Sequence, residues 1–420
     1  MEIFTGSTPN TTENDLRLAN ELLKGNVNIR SSIADLKKFF EDIFPNRKVL
    51  FFNRGRDSLY FFLKLLKLKN IDEVVVQGFT CVSVIAPIVW SNAYPVYTDI
   101  SIRDFNIDVE KLKEKITENT RVVIVQHTFG NIANLKEIAN LIKEFNIHRD
   151  SQSRIYLIED CAHLFLDSYE KVDVGRYSDA LFFSFAQDKI TSCTQGSALV
   201  IMNRKFESAA MMEYRKVDEL NESEAMYNAR YIILWEKIKK DYFRKIIPFL
   251  NVTLGKLEIL IFRFLGLIKR QASADSLKFD GIHKLSNLQA RLLVEQFEKL
   301  KEFNTHRERI TRIYCENLNK RLRFFPNGNH CLLRYPILVK NPNVVRSALR
   351  KEGVITGRWY STPVFPMDSS SYSSLKFVSE KYPNVATCCK YILNLPTHIA
   401  VGESDALKIC GIVNRLAIPI

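Results

Sequence analysis

The chain of 420 residues has no C-x-x-C pair, and its eight cysteines are scattered, with only Cys388 and Cys389 adjacent. No metal-ligand spacing follows from them, and reduced thiols in a cytoplasmic setting are the simplest expectation. No apolar run of about 18 residues is free of charge, so a membrane-spanning helix is not expected. The start, Met1-Glu2-Ile3-Phe4-Thr5-Gly6, lacks a basic stretch leading into an apolar one, so no signal peptide is expected either. Zinc-finger spacings and RNP-like aromatic motifs are missing, so the formal charge of +13 does not by itself imply nucleic acid. It favours anionic partners such as phosphates, nucleotides or an acidic membrane surface. Internal repeats and low-complexity linkers are absent. With 46% hydrophobic and 25% charged residues, the chain can bury a large core, divided between two lobes.

What the sequence does have is a dense stretch from Arg154 to Met202. Ile155-Tyr156-Leu157-Ile158 ends at Glu159-Asp160-Cys161-Ala162-His163, and Ala180-Leu181-Phe182-Phe183-Ser184-Phe185 ends at Gln187-Asp188-Lys189. A third apolar run, Ala198-Leu199-Val200-Ile201-Met202, follows Gly196. Such runs predict strands buried on both faces, whose polar ends open into a site. An acid and a lysine at neighbouring strand ends suit pyridoxal phosphate, which needs a lysine to condense with its aldehyde and a carboxylate to keep its ring nitrogen protonated. Taken singly, Lys189 reads as a surface residue and Asp160 as a helix N-cap; their spacing within the stretch is what raises them to candidates.

Both motifs resemble those of the DegT-type sugar-nucleotide aminotransferases, pyridoxal-phosphate enzymes of fold type I. That family reads E-D-x-A-[QH] at the acid and S-F-x-x-x-K at the lysine, matched here by Glu159 to His163 and by Ser184 to Lys189. The resemblance runs from about Asn53 to the C-terminus. It implies Lys189 and Asp160 as catalytic residues, His163 at the cofactor's phenolic oxygen and Ser184 at its phosphate. A satisfied core histidine and a buried turn hydroxyl are the plainer readings of the last two. The segment Asn53-Arg54-Gly55-Arg56-Asp57-Ser58-Leu59 follows a short strand and opens a helix, where free N–H groups and the helix dipole attract phosphate. The family's S-G-T-x-A-L lies here, which implies Gly55, Arg56 and Ser58 as cofactor ligands, with Arg56 alternatively facing a substrate diphosphate. Gly78-Phe79-Thr80-Cys81 matches P-x-[YF]-T-[FW], so Cys81 occupies the place of the ring-stacking aromatic and Phe79 is the alternative ring. Asp99 ends another matched strand and reads as a turn-capping acid. His127-Thr128-Phe129-Gly130 matches V-H-x-x-G.

Alternating strands and helices predict an α/β fold: a large domain with a mostly parallel, seven-stranded-type sheet and a smaller C-terminal α/β domain. The expected organisation is a helical segment over 1–46, the cofactor-binding domain over 47–205, an insertion over 206–280, and a long helix with the small domain over 281–420. Within the insertion, 242–270 is rich in Phe, Leu and Ile but studded with Lys and Arg, which predicts a basic amphipathic helix able to touch a membrane surface. Residues 284 to about 322 carry one long helical period. Ile282-His283 stands where the family has an N-Y pair that reaches the partner subunit, and Thr194-Gln195-Gly196-Ser197 stands where it has G-E-G-G.

The function implied is transfer of an amino group, from glutamate, to a nucleotide-linked keto-sugar by a cytoplasmic homodimer, with the inner membrane face as a candidate location. Other pyridoxal-phosphate chemistry on the same scaffold, dehydration or aromatisation, and a catalytically idle binding protein are the alternatives. Retention of Lys189 argues against the deoxygenating relatives, which carry histidine there.

Overall fold

Runs of valine, isoleucine, leucine and phenylalanine build a central sheet of β1 (Lys48–Phe52), β2 (Glu73–Gln77), β3 (Tyr94–Thr98), β4 (Thr120–Gln126), β5 (Tyr156–Asp160), β6 (Ala180–Ser184) and β7 (Ser197–Ile201). In this computed structural model the described residues are 1–4, 10–170, 172–246, 252–268, 273–325 and 331–420. The strand order is β1-β7-β6-β5-β4-β2-β3. Six strands share one direction, and β7 runs antiparallel to both β1 and β6. Because side chains alternate across a strand, Ala180 and Phe182 of β6 join one core, while Leu181 and Phe183 join another on the opposite face. The helices Gly55–Leu65 and Val82–Trp90 cover the first face; Ser32–Ile43, Leu135–Asn146 and Asn287–Phe297 cover the second. The C-terminal ends of β1, β4, β5 and β6 therefore open at one edge, with Ser184 opposite Ser197 and Ser197 opposite Phe52.

The smaller lobe is an antiparallel pair, β8 (Arg334–Leu338) and β9 (Ile392–Pro396), packed by the helices Pro342–Lys351, Pro383–Tyr391 and Glu403–Leu416. Asp99 caps its helix Pro383–Tyr391, accepting from the amides of Asn384 at 3.0 Å and Val385 at 2.9 Å. The lobe's apolar residues merge with the first face of the sheet into one core.

Two expectations are corrected. The single helical period over 284–322 is two helices, Asn287–Phe297 and Leu300–Asn317, because the backbone leaves helical geometry at Lys299. The break lets Phe297 and Leu300 both be buried and sets the Lys299 ammonium 2.9 Å from Asp15. Phe79 is turned into the core against Phe105, Phe129 and Tyr360 and does not front the opening as a stacking ring.

Within 206–280 three α-helices are described, Glu207–Tyr214, Glu222–Asp241 and Leu254–Phe264; residues 247–251 and 269–270 of the expected amphipathic segment lie outside the described residues. Gly255 lets the last two helices meet, since a Cβ there would come within 2.6 Å of the Tyr242 Cα and 2.7 Å of the Ile238 carbonyl. Ile259 and Phe262 pack onto Trp235 and Ile238, whereas Leu257, Leu260, Ile261, Phe264 and Leu265 face outward. No helix of the described residues is long and apolar enough to cross a membrane.

Candidate active site

Asp160 ends β5 and Lys189 lies on the loop after the adjacent β6, so the sheet itself brings acid and amine to one opening. Asp160 is buried and accepts the Ala162 amide at 2.9 Å. Burial raises its proton affinity above that of an ordinary carboxyl, against the opposing pull of that amide and the nearby Lys189 charge. A carboxylate in that condition is suited to sharing a proton with a basic ring nitrogen. The Lys189 ammonium sits 3.7 Å from Asp188, whose other oxygen accepts from Arg334 at 2.5 Å. Burial would raise the Asp188 carboxyl, but Lys189 and Arg334 outweigh it and bring it down to about 2.

At the end of β1 the helix Gly55–Leu65 begins with its first backbone bonds running from Asp57 and Ser58 to the Arg54 carbonyl, which leaves the Gly55 and Arg56 amides ahead of the ladder. Gly55 lies against Ser184: a Cβ there would stand 3.4 Å from the serine Cβ and 3.5 Å from its hydroxyl. Helix start and serine thus form one cradle between β1 and β6. Ser58 belongs elsewhere. It is fully buried, its hydroxyl 2.6 Å from that of Ser197, which donates to the Phe183 carbonyl at 2.7 Å; the hydroxyl is committed to the seam between helix and sheet. Arg54 is bound to both Asp57 and Asp280, while Arg56 stands 4.0 Å from Asp280 and keeps a buried Nε without a partner.

His163 is buried, and burial together with the charges of Lys189 and Arg334 pushes its proton affinity well down, so the ring is neutral. Its Nδ1 accepts the Phe129 amide at 3.1 Å, which leaves Nε2–H to face the Tyr360 hydroxyl at 3.3 Å. Cys81 caps the start of the helix Val82–Trp90, and its backbone bridges to Phe365 of the small lobe. Deeper in, His127 ties β4 to β5: its Nδ1 accepts from Ala133, so Nε2–H donates to Glu159 at 3.0 Å.

Sequence reasoning did not reach two groups. Arg334 pairs with Asp188 from 146 residues away, its guanidinium stacked 3.4 Å from the centre of the Trp359 ring, and no local pattern signals such a contact. The insertion helix Glu222–Asp241 clasps the lysine loop: Tyr231 donates to the Gln187 side chain, and Thr194 donates to the Asn228 carbonyl at 2.8 Å. Ile282 and His283 run beside β1 of their own chain, the His283 carbonyl taking the Asn53 amide at 2.9 Å.

The residues present fit pyridoxal phosphate: a primary amine and a buried carboxylate at adjacent strand ends, and a glycine-floored cradle of free amides and a hydroxyl for phosphate. A model of the DegT/DnrJ/EryC1/StrS aminotransferase family matches residues 9–229 and 256–414, passing over part of the insertion. The GDP-perosamine synthase of Escherichia coli O157:H7 is 22% identical over 372 residues, 86% of this chain and 84% of that one. Among solved structures, a putative sugar aminotransferase, Spr1654 from Streptococcus pneumoniae, in its PMP form, aligns with a TM-score of 0.69 at 18% identity, covering 97% of this chain and 96% of that one. Helicobacter pylori PseC, an aminotransferase involved in pseudoaminic acid biosynthesis, gives 0.69 at 16% identity over 99% of both chains. The chain thus belongs to the DegT/DnrJ/EryC1/StrS aminotransferase family and is a pyridoxal-phosphate-dependent aminotransferase of fold type I.

Proposed function

We propose that this aminotransferase makes an amino sugar from a nucleotide-linked keto-sugar, with glutamate as the amino donor, for surface polysaccharide or glycoconjugate synthesis. The observation that carries the reading is the placement of Lys189 and Asp160 at adjacent strand ends beside a helix start that bears Arg56. Arg54 is neutralised by two carboxylates, so Arg56 is the guanidinium left to meet a diphosphate. The similarity to a GDP-perosamine synthase and to a dTDP-3-amino-3,6-dideoxy-alpha-D-galactopyranose transaminase supports the substrate class.

Bound in this opening, pyridoxal phosphate supplies an aldehyde and an electron-accepting ring. Lys189 would anchor it, and the lysine Nζ would take and return the proton at the donor's Cα. Asp160 would hold a proton at the ring nitrogen throughout, and Gly55 and Ser184 would hold the phosphate end. The active unit in this reading is a homodimer with its two sites at the interface. The test is a colour assay: yellow protein bleaches with glutamate and regains colour with the accepted member of a panel of GDP- and dTDP-linked keto-deoxyhexoses. Colour that no amino donor changes would remove the reading.

The insertion adds a location to this proposal, the face of an anionic membrane. Phe264 is 90% and Leu260 65% exposed, and the outward stripe is flanked by exposed Arg263, Arg244 and Lys245. Apolar burial and attraction to anionic headgroups add on such a helix. Co-sedimentation with anionic liposomes is expected at low salt, weakening at high salt, and is expected to be lost on Leu260→Ser/Phe264→Ser substitution. Binding that survives the double substitution would assign the stripe to contact between protein chains.

A further inference from the structure

The loop that carries Lys189 closes on itself at its neck, with the Phe185 amide on the Gly196 carbonyl at 2.8 Å and the Cys193 amide on the Phe185 carbonyl at 3.1 Å. Its lysine stands in a turn whose Lys189 amide reaches the Ala186 carbonyl at 3.1 Å, and there the side chains divide. Asp188 and Lys189 pair on the side of the opening, 3.7 Å apart. Gln187 is buried, 4% exposed, and turns to the helix Glu222–Asp241, where its Oε1 accepts from the Tyr231 hydroxyl. A second contact lies beyond the lysine. Thr194 holds a left-handed backbone, φ +75°, which a β-branched residue rarely adopts, and its hydroxyl donates to the Asn228 carbonyl of the same helix at 2.8 Å. The helix therefore takes hold of the loop two residues before Lys189 and five residues after it.

This helix is itself held on several sides. Ala225, Ala229 and Ile232 seat one stripe of it on the second core of the sheet. Tyr231, Trp235 and Ile238 form with Ile268 a separate small core, onto which Ile259 and Phe262 of the neighbouring helix pack. Phe4 closes that core, its ring centre 4.4 Å from that of Tyr242 and 5.9 Å from that of Trp235, and Ile3 beside it pairs with Val354 of the small lobe. Tyr231, 1% exposed, is the member of the small core that reaches Gln187. It falls in the part of the insertion that the family model passes over. A phenol whose ring is packed in this way presents its hydroxyl at one place, which is what a supporting contact beneath a reacting group requires.

We propose that Tyr231 is a positioning residue for the reaction: through Gln187 it sets where the Lys189 amine stands, and the small core of the insertion holds that hydroxyl in place. The inference rests on the assignment of Lys189 as the reacting amine. A reacting group displaced by about 1 Å loses on the order of 10²-fold in rate. Partial freedom of the turn, with the neck of the loop still closed, is expected to cost about tenfold.

The test uses the full chain stripped of cofactor and two probes. With pyridoxal phosphate the Lys189 Nζ adds to the aldehyde carbon, a C=N bond replacing C=O with loss of water, and the growth of yellow colour reports that step. Pyridoxamine phosphate carries an amine in place of the aldehyde, cannot condense, and reports the phosphate cradle alone. Tyr231→Phe keeps the ring and removes the hydroxyl. It is expected to slow colour growth at saturating pyridoxal phosphate about tenfold, while its Kd for pyridoxamine phosphate, read by calorimetry, stays within about twofold of the wild type. In the loaded enzyme, bleaching by glutamate should slow to a similar degree at saturation, with the half-saturating concentration little changed. Gln187→Met should slow colour growth likewise, and Tyr231→Phe should add nothing in that background. The proposal falls if Tyr231→Phe colours at the wild-type rate, or if its pyridoxamine phosphate affinity drops in parallel with the rate, which would mark a general loosening of the site. It also falls if the tyrosine substitution slows the Gln187→Met variant by its full amount again. The underlying assignment is read separately. Full wild-type colour in Lys189→Ala would remove Lys189 as the amine, whereas colour that depends on Lys189 and is unslowed in Tyr231→Phe would remove this proposal alone.

Discussion

Lys189→Ala is expected to abolish multiple turnover, a loss of at least about 10³-fold with glutamate and any accepted sugar, because it removes the amine proposed to anchor the cofactor and move the Cα proton. The fold should survive. Asp188 loses one of its two cations but keeps Arg334 at 2.5 Å, and the loop backbone is held by bonds that do not involve the lysine side chain, from Cys193 to Phe185 and from Phe185 to Gly196. The cradle of Gly55 and Ser184 is untouched, so the variant should still take up pyridoxal phosphate, with an altered absorption band. Lys189→Arg should be equally dead, since a guanidinium stays protonated and cannot condense with an aldehyde. Circular dichroism establishes folding and steady-state assays establish the loss; sustained turnover by Lys189→Ala would sink the assignment.

Asp160→Asn should be almost as damaging for a different reason. The amide keeps the shape and can still accept the Ala162 N–H, so the turn after β5 should hold. What disappears is the charge. A neutral side chain cannot keep a proton on the ring nitrogen, and the rate should fall by roughly 10²- to 10⁴-fold while cofactor content stays near that of the wild type. A near-normal rate with cofactor bound would make Asp160 a structural acid.

Much of this site could be read in the sequence because its parts are local. Each of β5, β6 and β7 is a short apolar run, and the acid and the lysine follow their strands directly. Direction could not be read, since an apolar period is the same both ways along a strand, and the antiparallel β7 between β1 and β6 emerges only from pairing. Ser58 illustrates a second limit. Its position in a phosphate-type turn is visible, but helix phase sends the hydroxyl inward to Ser197. The Asp188–Arg334 pair and the grip of Tyr231 on Gln187 join residues distant in sequence, for which a single chain carries no signal. The insertion's period revealed an amphipathic helix without saying that its inner stripe, through Gly255, is taken up by the neighbouring helix.

The position of β7 also sets a dimension. The ends of β1 and β6 lie two strand spacings apart, ~10 Å, with β7 between them, and the start of the helix Gly55–Leu65 reaches across that gap until Gly55 lies against Ser184. The sheet acts as a caliper whose gap is fixed by backbone ladders: substitutions at either jaw alter the grip, and only a change of strand pairing could alter the span.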